Sequence, residues 1–422
     1  VEISKDKIKA FFRNGREKHR RRTQRVLAAL PYVLLAAGIG LCIFSGIRIF
    51  QIKDSQKPQI AAEHWSGDSG KSYRQVTCFA KGQTQADGSP DVYLSPSVSL
   101  NTLDIENIRK NLNAVVLAAA GKKDKTNPDS EAAAQIGDAR LWIDAYSAAA
   151  TGTVVRKATA VKPEASAEVT LTGVSGDYFF FHPMKLIDGA YLSVDTPDPK
   201  KIVLDRELAF KLFGTYKVTG SVVSINQREY TIVGVVQQGD SKIDRATSGD
   251  LVHAFILFDE LAYLSSVKNP GGMTTDGTSS PGTVQTTTAG TYDTGLPGTD
   301  EPDPSTLAIS SYEVVLPNKI GGIAEQNLKN AMETAGKAEK NFLFVDNTGR
   351  FSLLRLYDIV FPIGETARER QQYSFPFWEM SAQTAESVSV FWWIIGMTGI
   401  LAALTSGLAI YAGKHQRKVF RV

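Results

Sequence analysis

The chain has 422 residues, 43% hydrophobic and 22% charged. That excludes a disordered or low-complexity chain and fits an ordered protein of about two or three domains. The net charge is only +3, but residues 1–26 carry +7 and residues 412–422 carry +4, so the stretch between them is acidic at −8. Cys42 and Cys78 are the two cysteines, one inside an apolar run and one outside it. They cannot pair with each other, which excludes a disulfide-built scaffold and leaves only an intermolecular bridge through Cys78 open.

Residues 1–25 form a basic segment in which Ile8, Phe11 and Phe12 recur at helical spacing among lysines. This predicts a short amphipathic helix on the inner membrane interface. A basic run beside an apolar one reads as an anchor on anionic membrane lipid, and no nucleic acid is expected as a partner. Residues 26–47 then run for 22 positions without a charge, with Pro31 near their start. That is long enough for one helical bilayer crossing, and Pro31 in a first turn costs little. Arg48 and Lys53 follow and no small-residue cleavage site does, so a retained transmembrane helix is expected rather than a signal peptide. A second charge-free run of 24 residues covers 388–411 and is followed by the basic tail 412–422. Basic flanks stay in the cytoplasm. Both termini are therefore expected to be cytoplasmic, with 53–387 as one extracytoplasmic domain.

Within that domain, "YRQVTCFAKG" reads as a strand and "NTLDIENIRKNL", 101–112, as a helix capped by Asn101 or Thr102. "ARLWIDAYSAAATGTVV" and "AEVTLTGV" read as strands, after the polar loop "GKKDKTNPDSEAAAQIGD". "KIVLD" is a strand; Asp205 caps the helix "RELAFKLF" and Gly214 closes it. "GSVVSINQREYTIVGVV" predicts a hairpin about Asn226 and Gln227, and "HAFILF" is a further strand. Residues 266–306 are so rich in Gly, Thr, Ser and Pro that a flexible loop is expected. "SSYEVVLP" then reads as a strand and "GIAEQNLKNAMETAGKAEK" as an amphipathic helix, whereas "NFLFVD" is either a strand or an extension of that helix.

No catalytic, cofactor-binding or metal-binding residue is expected. The chain contains no G-x-x-x-x-G-K-[ST] loop to cradle phosphates, no HExxH and no G-x-S-x-G, and its five histidines are scattered. His182 reads as structural. On the second apolar run, Gly396, Gly399, Ala402, Ala403, Ser406 and Gly407 predict close helix packing, centred on Gly396, Gly399 and Ala403.

The stretch "VSGDYFFFHPMKLIDGAYL" places four aromatics after an acidic glycine turn. Aromatic runs are usually core strands. "GVSGDYF", followed in order by "MKLIDGAYL", "KIVLD", "KLFG" and the hairpin, resembles the core domain of MacB-like ABC transporter permeases of the MacB/FtsX superfamily. The match is best over about 165–260 and weaker at 101–112 and at "YEVVLP…AEQNLKNAM". The resemblance implies an α+β membrane protein. Two transmembrane helices would flank a large two-lobed extracytoplasmic domain, an α/β porter-like lobe plus a small β-rich lobe at about 165–260. It implies a bacterial plasma-membrane location and scaffold roles for the motif. Gly176 and Gly189 would turn the chain; Val174, Ser175, Asp177, Tyr178 and Phe179 would hold it. Such proteins couple ATP hydrolysis by a cytoplasmic ABC ATPase to movement of the outer domain. The partners implied are therefore that ATPase and other permease subunits, in a homo- or hetero-oligomer. Family permeases have four membrane helices and a cytoplasmic segment that meets the ATPase, and this sequence shows two helices. It is thus expected to be either a fragment or a two-helix relative, serving a transport complex for efflux, peptide export or envelope remodelling. The alternative is a membrane-anchored scaffold or sensor that retains the outer domain.

Overall fold

The computed structural model describes residues 5–67, 72–80, 83–84, 90–91, 99–119, 135–136, 139–158, 160, 163–239, 241–248, 252–266, 307–352 and 375–419. The chain divides into two compact units, Val1–Asp54 with Glu386–Val422, and Ser55–Ala385. The first unit is built by helix α1 (Lys5–Ser55) and by most of the last helix (Phe377–Val419). Ala28–Ser55 and Phe377–Gly413 are long and apolar enough to cross a membrane. The helix expected to stand alone over 1–25 does not: α1 runs unbroken from Lys5, and Pro31 lies well inside it rather than in a first turn. Apolar helices tolerate such a proline because local adjustment and neighbouring groups satisfy the freed carbonyl. Leu401, Leu404 and Leu408 point outward, as a lipid-facing surface requires.

The second unit begins with α2 (Ala61–Ser66) and β1 (Tyr73–Ala80). A ribbon of β2 (Gln83–Thr84) and β3 (Pro90–Asp91) precedes α3 (Thr102–Ala119), and a ribbon of β4 (Gln135–Ile136) and β5 (Ala139–Arg140) follows it. Next come β6 (Ile143–Arg156), β7 (Ala165–Gly176), the single turn α4 (Tyr178–Phe181), β8 (Lys185–Gly189) and β9 (Lys201–Asp205). They are followed by α5 (Arg206–Phe213), β10 (Val222–Ile225), β11 (Arg228–Gln237), α6 (Lys242–Ser248), β12 (Val252–Leu257) and α7 (Phe258–Ser266). β13 (Ser311–Pro317), α8 (Ile323–Thr334) and β14 (Phe342–Asp346) lead to α9 (Phe377–Val419). Most of the loop expected over 266–306, and the apolar segment beginning at 353, lie outside the described residues.

Local chemistry explains several boundaries. Asn101 and Asp104 cap α3 reciprocally: each side chain accepts from the other's backbone N–H at 2.9 Å. Gly214 closes α5 in the left-handed conformation, and its N–H donates to the Phe210 carbonyl at 2.7 Å. Asn226 and Gln227 both have positive φ, 48° and 67°, as a type I′ hairpin turn requires. The aromatic run departs from expectation. Tyr178–Phe181 is a turn of helix, not a strand, because Gly176 at φ 65° bends the chain out of β7 immediately before it.

All ten longer strands lie in one sheet of order β10-β11-β9-β12-β7-β6-β13-β1-β14, with β8 beside β11. β11–β9 and β12–β7 are the parallel pairs. β10 also pairs with the end of β6, Ser224 opposite Val155. That contact closes β10, β11, β9, β12, β7 and β6 into a ring, the β-rich lobe. The other end of β6 pairs with β13 and continues as the open sheet β6-β13-β1-β14. Helices α3 and α8 pack on that open part, where the Asn111 side-chain amide donates to the Ala331 carbonyl at 3.0 Å. The two halves are therefore an α/β part and a small β part that share one fourteen-residue strand. Both faces of the sheet are covered. Ile105, Ile108 and Leu112 of α3 lie in the main core, and Ala61, Tyr178, Phe181 and Phe255 form a second cluster. Cys78 is fully buried in β1, so an intermolecular disulfide through it is closed off.

Two motif glycines are pinned by neighbouring backbone. A Cβ at Gly176 would lie 2.5 Å from the Asp144 carbonyl oxygen, and one at Gly189 would collide with that of Val233. Gly214 has a similar φ but open space. Gly176→Ala and Gly189→Ala are each expected to cost about 2–4 kcal/mol, against about 1 kcal/mol for Gly214→Ala. Thermal unfolding of the three variants checks the order.

Candidate functional site: a buried polar network and its cavity

A line of polar side chains crosses the core of the Ser55–Ala385 unit. It begins at His182, just after α4, whose Nε2 meets Glu313 Oε2 at 2.5 Å. On the neighbouring strand, Thr77 Oγ1 donates to Glu313 Oε1 at 3.5 Å and accepts from Asn347 Nδ2 at 2.8 Å. Asn347 Oδ1 in turn accepts from Arg350 Nη1 at 3.2 Å. Arg350 ends the line in a two-pronged pair with Glu379, both N–O distances 2.7 Å, and also donates to Gln59 Oε1 at 3.2 Å. Glu379 lies in the first turn of α9, and Gln59 in the short turn between α1 and α2. Neither member of the Arg350–Glu379 pair is more than 4% exposed. A pair this dry holds together because each charge would be stranded without the other.

Next to His182 lies a cavity of about 150 Å³. His253 from β12, Asp205 at the end of β9 and Gln238 after β11 line it, with Phe377 and Trp378 of α9 on another side. The His253 ring packs on Phe377 with centroids 4.6 Å apart, and the His182 ring on Trp378 at 4.7 Å. Neither ring nitrogen of His253 has a partner, and neither does His182 Nδ1 or Gln238 Nε2. Burial pushes the His253 imidazole down to about 4 and, as the largest effect on it, pushes the Asp205 carboxyl up to about 6. Asp205 stands at the N-cap of α5 as expected, but its side chain makes no capping hydrogen bond there. Asp244 instead accepts from Ser381 of α9 and from Ser241 Oγ at 2.6 Å.

Val174 to Phe179 and Gly189 surround this region without lining the cavity, whereas Met184 and Asp205 of the later segments line it. Val174 is buried, and the Ser175 backbone pairs with Tyr146 across β7–β6. Asp177 accepts a two-pronged pair from Arg140 at 2.9 and 2.6 Å, and its N–H donates to the Asp144 carbonyl at 2.8 Å. Tyr178 is buried with its ring 4.3 Å from His182, and Phe179 stacks on Tyr191 at 5.0 Å. Gly189 sits opposite Gly234 in the β8–β11 pair. Sequence reading did not bring His182 and His253 together, nor find the Arg350–Glu379 pair. Their partners are strands and helices apart, and no local spacing signals them.

In the helix pair, a Cβ at Gly399 would lie 2.7 Å from the Gly38 carbonyl oxygen, and one at Gly38 would lie 2.6 Å from that of Gly399. Ala403 adjoins the same crossing, and Gly396 faces Ser45. Cys42 Sγ reaches the Gly396 carbonyl at 3.4 Å, and Ser45 Oγ donates to that of Trp392. Small residues here let two backbones touch. Among the described residues, no group of three or more His, Cys, Asp or Glu could hold a metal.

Residues 94–289 match the family model of the MacB-like periplasmic core domain, a little under half of the chain. The family whose model matches is the one the ordered motifs resemble. Among solved structures, the periplasmic region of MacB from Actinobacillus actinomycetemcomitans is 16% identical with a TM-score of 0.37, covering 69% of this chain and 94% of that one. The extracellular domain of the noncanonic ABC-type transporter YknZ from Gram-positive bacteria is 12% identical with a TM-score of 0.34, covering 64% and 99%. No curated protein matches the sequence. With its two candidate spans, the chain is a membrane protein carrying a MacB-like extracytoplasmic domain.

Two outcomes follow for stability. Losing one member of the buried pair, as in Arg350→Met or Glu379→Leu, is expected to cost about 3–5 kcal/mol. The double variant should cost less than the sum, because it leaves no stranded charge; chemical unfolding of all three measures this. The cavity acids and bases act in opposite directions with pH. His253 stays neutral when folded, so the unfolded chain binds more protons between about 6.5 and 4, and stability falls on acidification through that window. Asp205 binds its proton more tightly when folded, so its contribution is full below about 3.9 and lost as pH rises to about 6. Asp205→Asn should therefore lose stability more steeply than the parent between pH 6 and pH 4, and His253→Phe less steeply. Melting curves across that range check both signs.

Proposed function

We propose that the chain is a permease-like membrane subunit of an ABC transporter complex of the MacB/FtsX type. The carrying observation is the family match over 94–289 in a chain whose last helix begins inside the folded domain and continues through a candidate span. In this role the chain hydrolyses nothing itself. A partner ATPase supplies the energy in the cytoplasm, where both basic termini lie, and the outer domain moves in response. The sequence has no phosphate-binding loop, in keeping with an ATPase on a separate chain or segment. Glu379 and Ser381 support α9 as the transmitting element, since both are bonded into the outer domain in the first two turns of that helix. A rigid, satisfied attachment passes displacement on, whereas a loose one absorbs it.

Gentle extraction from native membranes followed by native mass measurement tests the proposal. The chain should come out with an ATPase subunit, the complex should hydrolyse ATP and the chain alone should not. Gly399→Leu with Ala403→Leu should loosen the assembly and leave the outer domain folded. A lone monomer without an ATPase, unchanged by those substitutions, would instead favour a membrane-anchored scaffold or sensor.

A further inference from the structure

The two basic tails adjoin one end of each apolar run, whereas Arg48 stands at the other end of the first run, directly after Ile47. Among the described residues it makes no ion pair. Its Nη1 donates to Gln51 Oε1 at 2.9 Å, and its guanidinium carbon lies 5.4 Å from the centre of the Trp392 ring. A guanidinium carries five N–H donors, so these two contacts orient the group and leave most of its donors unspent. The platform under it is fixed from both helices. The Trp392 carbonyl accepts from Ser45 Oγ, and its ring meets Phe44 at 5.4 Å and Phe391 at 5.6 Å between centroids, both edge-on. Phe44, Ile47 and Phe391 are exposed, so Arg48 rises from an apolar surface that faces outward. All of these residues belong to the unit built by α1 and α9.

Arg48 comes one residue after the first charge-free run, and Trp392 lies in the opening turns of the second. That is the level at which hydrocarbon gives way to lipid headgroups, where Trp collects and a long basic side chain keeps its charge out of the apolar layer. A cation with unspent donors over an exposed aromatic wall matches a phosphodiester carried on acyl chains. The guanidinium fork fits phosphate oxygens in pairs. The rest of the headgroup is narrowed by charge. An ammonium headgroup would stand beside Arg48 with no carboxylate bound there to meet it, whereas a glycerol headgroup adds no second cation. We propose that Arg48, held by Trp392 and Gln51, binds the phosphate of an anionic phospholipid of the phosphatidylglycerol class, with an acyl chain along Phe44 and Phe391. The lipid belongs to the leaflet at the Arg48 end of the first span. It would touch both helices and hold them as a pair. The site lies within the two helices and stands whether or not the chain serves a transporter.

The test uses the full chain in phosphatidylcholine nanodiscs containing a small, equal fraction of photoactivatable phosphatidylglycerol or photoactivatable phosphatidylcholine, with the reactive group near the glycerol end of one acyl chain. Labelled peptides are read by mass spectrometry. The basic tails also attract anionic lipid, so the position of the label is the readout and residues 1–26 serve as the internal reference. The expected result is about fivefold more label from the phosphatidylglycerol probe at 44–51 and 388–393, the effect of one basic charge at a lipid surface. Arg48→Gln should abolish that preference, leave the melting temperature unchanged and leave the labelling of 1–26 as it was; Arg48→Lys, which keeps the charge and loses the fork, should fall between. Equal label from the two probes at 44–51 would overturn the proposal and leave bulk lipid only. A preference that survives Arg48→Gln would place the anion elsewhere. Displacement of the label by soluble glycerol phosphate as readily as by unlabelled phosphatidylglycerol would make the site one for free phosphate. Label that appears only after other membrane subunits are stripped away would assign Arg48 to a protein carboxylate and overturn the lipid. The two-probe comparison on the unmodified chain decides the matter even if a variant fails to fold.

Discussion

The Arg350–Glu379 pair sets the terms for the rest of the outer domain. A guanidinium and a carboxylate this deeply buried are stable only together, and only where further polar groups complete their bonding. Arg350 finds those groups in Gln59 and Asn347, and Glu379 finds another in Gln383, 3.0 Å away. Three segments far apart in the chain therefore meet at one point: the turn after α1, the turn after β14 and the first turns of α9. Neither the turn after β14 nor α9 can leave without stranding a charge, and loss of the turn after α1 removes the Gln59 acceptor of Arg350.

The sheet gives that point something to act on. Asn347 follows β14 directly, and it holds Thr77 on the neighbouring β1, which holds Glu313 on β13. β13 pairs with β6, the strand whose far end closes the small β part through β10. A buried chain of hydrogen bonds and a shared strand thus connect the roots of the long helices to both halves of the domain. Arg109 and Tyr312 bracing Asp144 on β6 add a second buried charge cluster to the same sheet, with the shortest contact at 2.7 Å.

The motif that carried the family resemblance turned out to be architectural. Its glycines admit no side chain because carbonyls of neighbouring strands occupy the space, and its aromatic turn plugs the second core under β7 and β12. That explains why the order of such segments carries the resemblance while Gly176 and Gly189 serve the backbone. The residues with unspent chemistry, His182 and His253, stand beside the motif or outside it.

Elements with a local cause were legible in the sequence. The charge-free runs fixed two long apolar helices, because hydrophobic length needs no tertiary partner. Asn101, Gly214 and the Asn226–Gln227 turn fixed their boundaries through backbone geometry within a few residues. Other features depended on contacts across the fold. "NFLFVD" suited a helix or a strand, and became β14 because β1 offers it an edge to pair with. The aromatic run suited a strand and became a turn because Gly176 bends against Asp144 on β6. The His182–Glu313 contact spans 131 positions and the Gln59–Arg350 contact 291, distances at which no spacing rule operates. Sequence alone determined what is fixed by neighbours along the chain. Tertiary structure decided where charges and imidazoles are buried, because burial is a property of the packed whole.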